Sequence, residues 1–249
     1  MSSQEKINNV GVIFAGGVGT RMRSKDIPKQ FLYIHGKPII IHTLEHFEQC
    51  AEIDAIVIAC VDNYIGHLRS LIEKFQINKV KKIVSGGQTG QQSIYNGLIA
   101  AKEIVGNNNA VVLIHDGVRP LINEKLLANN VKSVRQYGSC ITAGIVKETI
   151  VEIDDNGNVR NVPERKYSRV AKAPQSFYID DILSAHKRAD AEGKHDFIDS
   201  CTMMQHYGYR LHMIDGPYEN IKITTPDDYY MMRAVLNVKE DNQLYTDED

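Results

Sequence analysis

A glycine-rich segment near the start of the chain carries the residues best suited to chemistry on phosphates. The first predicted strand, Val10–Phe14, runs directly into Ala15-Gly16-Gly17-Val18-Gly19-Thr20-Arg21-Met22. Glycines let backbone N–H groups approach phosphate oxygens closely, because no Cβ stands in the way. Arg21 and Lys29, the latter in a Pro-Lys-Gln sequence expected to form a solvent-facing loop, add positive charge. This combination suits a triphosphate from which pyrophosphate leaves.

The same segment does not fit two widespread nucleotide-binding patterns. Met22 occupies the place of the third glycine in G-x-G-x-x-G, and no Gly-Lys-Ser/Thr follows as a P-loop requires. A nucleotide-dependent oxidoreductase is therefore disfavoured, and a failure to bind NAD would settle the point.

Two further polar residues follow later apolar segments. Asp116 lies just after the predicted strand Ala110–Ile114, at its carboxyl end, and Lys222 lies in the alternating sequence Asn-Ile-Lys-Ile-Thr, predicted as a strand. Ligands of open α/β sheets bind at the carboxyl ends of strands, and a carboxylate there suits Mg²⁺. Taken alone, Asp116 also fits a turn or helix cap and Lys222 a solvated lysine. We expect Arg119 to pair with Asp116 or a neighbouring carboxylate rather than to perform chemistry.

Alternating strands and amphipathic helices frame these residues. Besides the first strand and that before Asp116, strands are predicted over Ala55–Cys60, Val80–Val84, Cys140–Ile145 and Tyr209–Ile214. Helices are predicted over Ile39–Cys50, Tyr64–Phe75, Gln91–Val105, Glu124–Tyr137, Ile179–Ala191, Ser200–Tyr207 and Pro226–Val238. This order predicts an α/β fold with a mostly parallel sheet covered by helices on both faces.

The alternation is interrupted once, at about residues 147–174. Polar and apolar residues alternate there around Asp155-Asn156-Gly157, which is typical of a β-hairpin. A projecting hairpin is marginal alone, so we expect this arm to pack on a second subunit and form a homodimer. Residues 1–249 are thus read as one domain with an arm, and the tail from Lys239 as frayed.

Composition limits the partners. The 249 residues contain 29 Lys and Arg against 31 Asp and Glu, and a net charge of -2 gives no footprint for nucleic acid or an anionic membrane. The N-terminus lacks a signal-peptide core, and no apolar run approaches the roughly 20 residues that span a bilayer. The 4 cysteines have no metal-ligand spacing, which favours free thiols and a cytoplasmic location. The histidines likewise show no zinc motif.

Taken together, the motifs resemble those of the cytidylyltransferases that activate methylerythritol phosphate or ribitol 5-phosphate. They comprise the glycine segment, Pro28-Lys29-Gln30, Gly86-Gly87, Ser93, His115–Pro120, Pro174-Gln175 and Asn220–Thr224, and they cover nearly the whole chain. The resemblance implies a Rossmann-like fold and a Mg²⁺-dependent transfer from CTP. The acceptor's phosphate oxygen would attack the α-phosphorus in line, with positioning and charge neutralisation supplying the catalysis.

The resemblance also implies roles for individual residues. Arg21, Lys29 and Lys222 would act on the reacting phosphates. The nucleotide would contact Ala15, Gly16, Gly17, Gly19, Thr20, Gly87, Ser93 and Asp116. Thr149 and Arg165 on the arm, with Lys222, would bind the acceptor, the first two in the neighbouring subunit's site. Mg²⁺ would bind Asp116 and Glu219. Read without the family, Ser93 is a helix-capping serine and the two arm residues are ordinary hairpin residues.

The chain departs from the methylerythritol pattern at three positions, and two of them, the lost threonines, concern the acceptor. Ala173 stands where that pattern has the threonine of Thr-Pro-Gln, Ile198 where it has the threonine of Thr-Asp, and Gly90 where an arginine is common. The nucleotide half matches and the acceptor half does not. We therefore expect D-ribitol 5-phosphate as the acceptor, feeding a capsule or teichoic-acid-like polymer, with methylerythritol phosphate activation for isoprenoids as the alternative.

Two functions of other classes share the glycine segment. A sugar-1-phosphate nucleotidyltransferase using UTP or dTTP is disfavoured by the hairpin and the short chain, and nucleotide selectivity would distinguish it. A CTP-binding regulator without turnover would not need Arg21, Lys29, Asp116 and Lys222 together. Thermal stabilisation by CTP without catalysis would favour the regulator.

Overall fold

The protein is built around a seven-stranded sheet with helices on both faces. The structure, a computed structural model, describes residues 6–16 and 27–241. The strands are β1 (Asn9–Ala15), β2 (Tyr33–Ile34), β3 (Lys37–Pro38), β4 (Ala55–Cys60), β5 (Val80–Ser85), β6 (Val111–Asp116), β7 (Ser139–Ile145), β8 (Glu152–Ile153), β9 (Val159–Asn161), β10 (Arg169–Tyr178) and β11 (Met213–Asp215). The helices are α1 (Ile39–Gln49), α2 (Ile65–Lys74), α3 (Gly90–Val105), α4 (Glu124–Tyr137), α5 (Ile179–Ala191), α6 (Ser200–His206) and α7 (Pro226–Asp241).

The predicted mostly parallel sheet is confirmed. Its order is β11-β7-β10-β6-β1-β4-β5, and β10 alone runs antiparallel to its neighbours β6 and β7. The sequence does not predict β10, because Pro174 interrupts its pattern and its register against β7 shifts between Ala171 and Gln175. This irregular strand borders a cavity beside Asp116.

Alternate residues of the central strands enter two separate cores. Ile13 of β1 packs in the core under α1, α2 and α4, whereas the adjacent Val12 packs in the core under α3, α5 and α6. Strands buried on both faces read as continuous apolar runs, which explains why β1, β4 and β6 are recognisable in the sequence. Among the described residues, no helix is long and apolar enough to cross a membrane.

The arm is shorter than predicted. Its hairpin, β8 with β9, turns at Asp155-Asn156-Gly157 as expected, with Gly157 in the left-handed region at φ 82°. Asp154 accepts hydrogen bonds from the N–H groups of Asn156 and Asn158 and closes the turn. The boundary at Pro174 is wrong, because the chain rejoins the central sheet at Arg169.

Near the C-terminus three predictions need correction. Residues 220–224 are not a strand. Ile223 is buried and its N–H donates to the Val118 carbonyl, but the segment pairs with no strand among the described residues. Alternation reports which side chains face the core, not whether a ladder forms. The strand expected over Tyr209–Ile214 is confined to β11. The helix α7 continues past Lys239 to Asp241, and residues 242–249 of the tail predicted as frayed lie outside the described part of the chain.

Candidate active site

The candidate site lies at the carboxyl edge of the sheet, where β1 and β6 end side by side. Phe14 of β1 is paired with Asp116 of β6, and Gly117 N–H donates to the Phe14 carbonyl over 3.0 Å. The glycine segment after Ala15 and the turn after Asp116 therefore leave from neighbouring strands. Parallel topology brings together residues about a hundred positions apart in the sequence.

Asp116 holds two cations at this edge. Its Oδ1 lies 2.6 Å from Lys222 Nζ, and its Oδ2 lies 3.2 Å from Arg119 Nε. Arg119 Nη1 also donates to the Asn220 carbonyl over 3.1 Å, which ties the turn after β6 to the segment that carries Lys222. The expected pairing of Arg119 with Asp116 is confirmed.

Burial and the two cationic partners of Asp116 shift the pKa of its carboxyl group in opposite directions. Burial alone would raise the pKa of the carboxyl, but Lys222 and Arg119 outweigh it and hold the pKa below its ordinary value. Burial lowers the pKa of the adjacent His115 to about 4. The neutral His115 donates from Nε2 to the Arg119 carbonyl over 2.9 Å, which fixes the turn that presents the guanidinium.

Ser93 connects the two glycine segments. Its hydroxyl accepts from the Gly87 N–H over 2.9 Å and donates to the Thr89 carbonyl over 2.9 Å. A Cβ added at Gly16 would lie 2.8 Å from Ser93 Oγ, so a glycine is needed there. The helix cap is Thr89 and not Ser93, because Thr89 accepts from the N–H of Gln92.

A depression of about 340 Å³ opens beside these glycines. Gly16, Gly86, Gly87 and Gln92 border it. A Cβ at Gly87 would lie 2.4 Å from Gln92 Cβ, so this backbone cannot carry a side chain without rearranging. The arrangement offers a close backbone approach to a ligand next to the buried Ser93 hydroxyl.

Lys29 occupies a short 3-10 turn and is only 9% exposed. The expectation of a solvent-facing loop is therefore wrong. The adjacent Gln30 is buried and donates to the Ala15 carbonyl over 2.8 Å, which pulls this turn against the end of β1. Burial would raise the pKa of Asp228, but backbone hydrogen bonds and the charge of Lys29 lower it. Lys29 is thus held by its surroundings rather than presented freely.

A cavity of about 230 Å³ lies beside the Asp116 cluster. Asp116, Arg119 and Lys222 border it on one side. On the other side it is bordered by Ala171, Lys172, Ala173 and Gln175 of β10 and by Ile198, Asp199 and Ser200. The two positions that lack the threonines of the methylerythritol pattern thus face the same cavity as the charged cluster. Of this group, the sequence reasoning missed Lys172, since nothing in the sequence places β10 here.

The remaining predicted site residues either do not border the cavity of this chain or lie outside the described residues. On the exposed arm, Arg165 Nη2 donates to Thr149 Oγ1 over 3.2 Å, so the two predicted acceptor residues are neighbours. Neither borders the cavity of its own chain. Glu219 is half-buried, and its charge acts on Lys172. Four predicted residues lie outside the described part of the chain: Gly17, Gly19, Thr20 and Arg21.

Comparison with known proteins connects this geometry to a family. The profile of the 2-C-methyl-D-erythritol 4-phosphate cytidylyltransferase (IspD) family matches residues 10–238. The chain belongs to this family. It is accordingly a CTP-dependent cytidylyltransferase, a nucleotidyltransferase, as the motifs indicated.

The relatives of this cytidylyltransferase carry two different names, one for ribitol 5-phosphate and one for 2-C-methyl-D-erythritol 4-phosphate. Proteins named ribitol-5-phosphate cytidylyltransferase from Streptococcus agalactiae serotype III and Vibrio parahaemolyticus are 52% and 49% identical, each over 95% of this chain and 99% of their own length. A 2-C-methyl-D-erythritol 4-phosphate cytidylyltransferase from Clostridium novyi is 36% identical over 93% of this chain and 98% of its own. The crystal structure of 4-diphosphocytidyl-2C-methyl-D-erythritol synthase from Anaerococcus prevotii superposes with a TM-score of 0.81 at 26% identity, covering 93% and 97% of the two chains. The predicted Rossmann-like α/β fold is confirmed.

Proposed function

We propose that this cytidylyltransferase transfers the cytidylyl group of CTP to D-ribitol 5-phosphate, giving CDP-ribitol and pyrophosphate. The observation that carries the proposal is the cavity beside Asp116, where Ala173 and Ile198 replace the two threonines of the methylerythritol pattern. Losing two hydroxyl donors, each worth about 0.5–1.5 kcal/mol, remodels the acceptor end of the pocket. The higher identity to relatives named for ribitol 5-phosphate points the same way.

The chemical step needs no covalent intermediate. A phosphate oxygen of the acceptor attacks the α-phosphorus of CTP, the new P–O bond forms, and the bond to the β-phosphate breaks with its electron pair leaving on pyrophosphate. Lys222 stands at the boundary between Asp116 and the cavity, where it neutralises charge on the approaching phosphates. In this proposal Arg21 and Lys29 act on the triphosphate, and Ser93 with Gly87 frames the cytosine.

Mg²⁺ is the metal that this proposal requires. Asp116 fits it, because a carboxylate that stays ionised at a strand end is the hard oxygen ligand that Mg²⁺ takes alongside phosphate oxygens. When bound, the ion would withdraw negative charge from the triphosphate. In the described ranges no group of three or more His, Cys, Asp or Glu is positioned to hold an ion, so substrate phosphates would supply most ligands. Glu219 remains a proposed second ligand.

The arm supports a homodimer. Large apolar side chains are exposed along it and on the adjacent strand ends: Ile145, Val151, Ile153, Val159, Val162, Tyr167 and Val170. Such a surface favours burial against a second copy, which would carry Thr149 and Arg165 to the partner's acceptor pocket. The two substrates, and no nucleic acid or membrane, are the partners proposed beyond this copy. CDP-ribitol would serve capsule or cell-wall polymers, and the proposed location is cytoplasmic.

The direct test supplies CTP, Mg²⁺ and ribitol 5-phosphate to the purified protein. We expect pyrophosphate release in step with a product of the mass of CDP-ribitol, and much slower release when UTP or dTTP replaces CTP. A preference for UTP or dTTP would favour the sugar-1-phosphate class. CTP-dependent thermal stabilisation without any pyrophosphate release from the acceptors tried would instead favour a regulator.

A further inference from the structure

The geometry points to Lys172 as an acceptor-binding, specificity-determining residue, and we propose that its ammonium donates hydrogen bonds to the acceptor in place of the two missing threonine hydroxyls. The proposal rests on the proposed function, since the acceptor is the phosphorylated polyol named there. Lys172 lies outside the glycine motifs and outside the residues to which the family resemblance gives a role.

The position of Lys172 follows from the irregularity of β10. Consecutive residues of a regular strand point to opposite faces. The register of β10 shifts between Ala171 and Gln175, and Lys172 and Ala173 both border the cavity as a result. A cation therefore stands directly beside the alanine that replaces a threonine.

The Lys172 side chain passes over Gly144, and a hydrogen bond to Tyr218 holds its end. A Cβ at Gly144 on the neighbouring strand β7 would lie 2.6 Å from Lys172 Cε and 3.1 Å from its Nζ, so the stem passes over the glycine. Its Nζ donates to the Tyr218 carbonyl over 3.0 Å. An ammonium has three donors, and this bond uses one of them. Within residues 6–16 and 27–241 this Nζ donates to no other group, so its remaining donors are available to a ligand in the cavity.

The charges around the cavity favour an anion. Three cations, Arg119, Lys172 and Lys222, border it together with two carboxylates, Asp116 and Asp199. Asp199 is already engaged, because it accepts from Gln175 and from the first turn of α6. A phosphorylated acceptor that enters the cavity would bring negative charge beside the Lys172 ammonium.

The test compares Lys172→Met, which keeps the stem and removes the charge, with Lys172→Arg and with Gly144→Ala, which leaves the charge and blocks its path. Lys147→Met is the matched control, since Lys147 lies 3.5 Å from the Tyr218 ring but does not border the cavity. Steady-state rates are measured while CTP and acceptor are varied separately. The acceptors are ribitol 5-phosphate and methylerythritol phosphate.

We expect Lys172→Met to raise the KM for the acceptor by on the order of tenfold, as the loss of one charge-assisted hydrogen bond would. The KM for CTP and the melting temperature should stay close to those of the wild type. Lys172→Arg should recover part of the loss, Gly144→Ala should reproduce it, and Lys147→Met should not change either KM. Equal effects on both substrates, or an unchanged acceptor KM in Lys172→Met, would overturn the proposal.

Failure of the proposed function is visible separately, in the wild type. If the wild type uses methylerythritol phosphate and not ribitol 5-phosphate, the acceptor assignment falls, and the proposed replacement of the two threonines by Lys172 falls with it. If the wild type uses ribitol 5-phosphate and the variants behave like the control, the function stands and the role of Lys172 is refuted.

Discussion

The Asp116 carboxylate and the Lys222 ammonium lie 2.6 Å apart, although one ends strand β6 and the other belongs to an irregular segment before α7. Two hydrogen bonds hold this segment in place. Arg119 donates to the Asn220 carbonyl, and the Ile223 N–H donates to the Val118 carbonyl. A lysine without such anchors would be a surface lysine. Here its charge is held at the mouth of the acceptor cavity.

Replacement of Lys222 by methionine should therefore reduce catalysis more than stability. Asp116 keeps Arg119 as a partner, so the fold retains one of its two ion pairs. We expect kcat/KM to fall by on the order of 100-fold, which is typical of removing one donor aimed at developing charge. Denaturant unfolding and initial rates measure the two effects. The exposed lysine variant Lys132→Met should change neither, and a Lys222→Met enzyme with normal turnover would remove this lysine from the mechanism.

The glycine at position 87 should not tolerate a side chain. Gly87→Ala places a methyl 2.4 Å from Gln92 Cβ and pushes the backbone that borders the nucleotide depression. We expect the KM for CTP to rise several-fold, with the acceptor KM little changed. Gly90→Ala is the control, because its Cβ would meet nothing within 4 Å. Rates measured over a range of CTP concentrations give the KM of each variant. An equal KM for CTP in Gly87→Ala and Gly90→Ala would contradict the assignment of this loop to the nucleotide.

Stability should fall as the pH is lowered through the range of two buried histidines. Burial lowers the pKa of both His115 and His186 from 6.5 to about 4. Below pH 6.5 these histidines bind protons in the unfolded chain, whereas in the folded chain they bind them only near pH 4. The stability that they contribute is therefore complete above pH 6.5 and is lost as the pH falls towards 4. Each histidine should contribute about 2 kcal/mol between pH 7 and pH 5.

Urea unfolding of the His186→Phe variant at these two pH values tests this expectation. The aromatic ring keeps the stacking on Tyr95, and the pH-dependent loss of stability should shrink by roughly one histidine's share. The exposed His195→Gln variant should retain the wild-type loss. An undiminished loss in His186→Phe would mean that this histidine already takes up its proton normally in the folded protein.

The arm should hold two copies of the chain together. Light scattering at micromolar concentration should give twice the 28.0 kDa of the single chain. Ile153→Asp places a charge on a hairpin side chain that is 61% exposed in the single chain, and it should give monomers with reduced turnover. Met231→Asp, an exposed apolar position on α7, should remain dimeric. A monomeric wild type would contradict the proposed dimer.

The sequence predicts the architecture better than the acceptor pocket. Strands such as β4 and helices such as α4 and α5 match their predicted bounds, because burial on two faces or one face leaves a clear period in the sequence. The pocket depends instead on β10, whose proline and register shift hide it. Lys29 likewise reads as a loop residue, although Gln30 draws its turn inward against Ala15. Long-range contacts of this kind have no local pattern.

The most direct test of the account is a comparison of kcat/KM for ribitol 5-phosphate and for methylerythritol phosphate at saturating CTP and Mg²⁺, followed by pyrophosphate release. The cavity beside Asp116 has Ala173 and Ile198 in place of two threonines and is bordered by Lys172, so we expect ribitol 5-phosphate to be preferred by at least about tenfold. Equal use of the two acceptors, or a preference for methylerythritol phosphate, would contradict the proposed function.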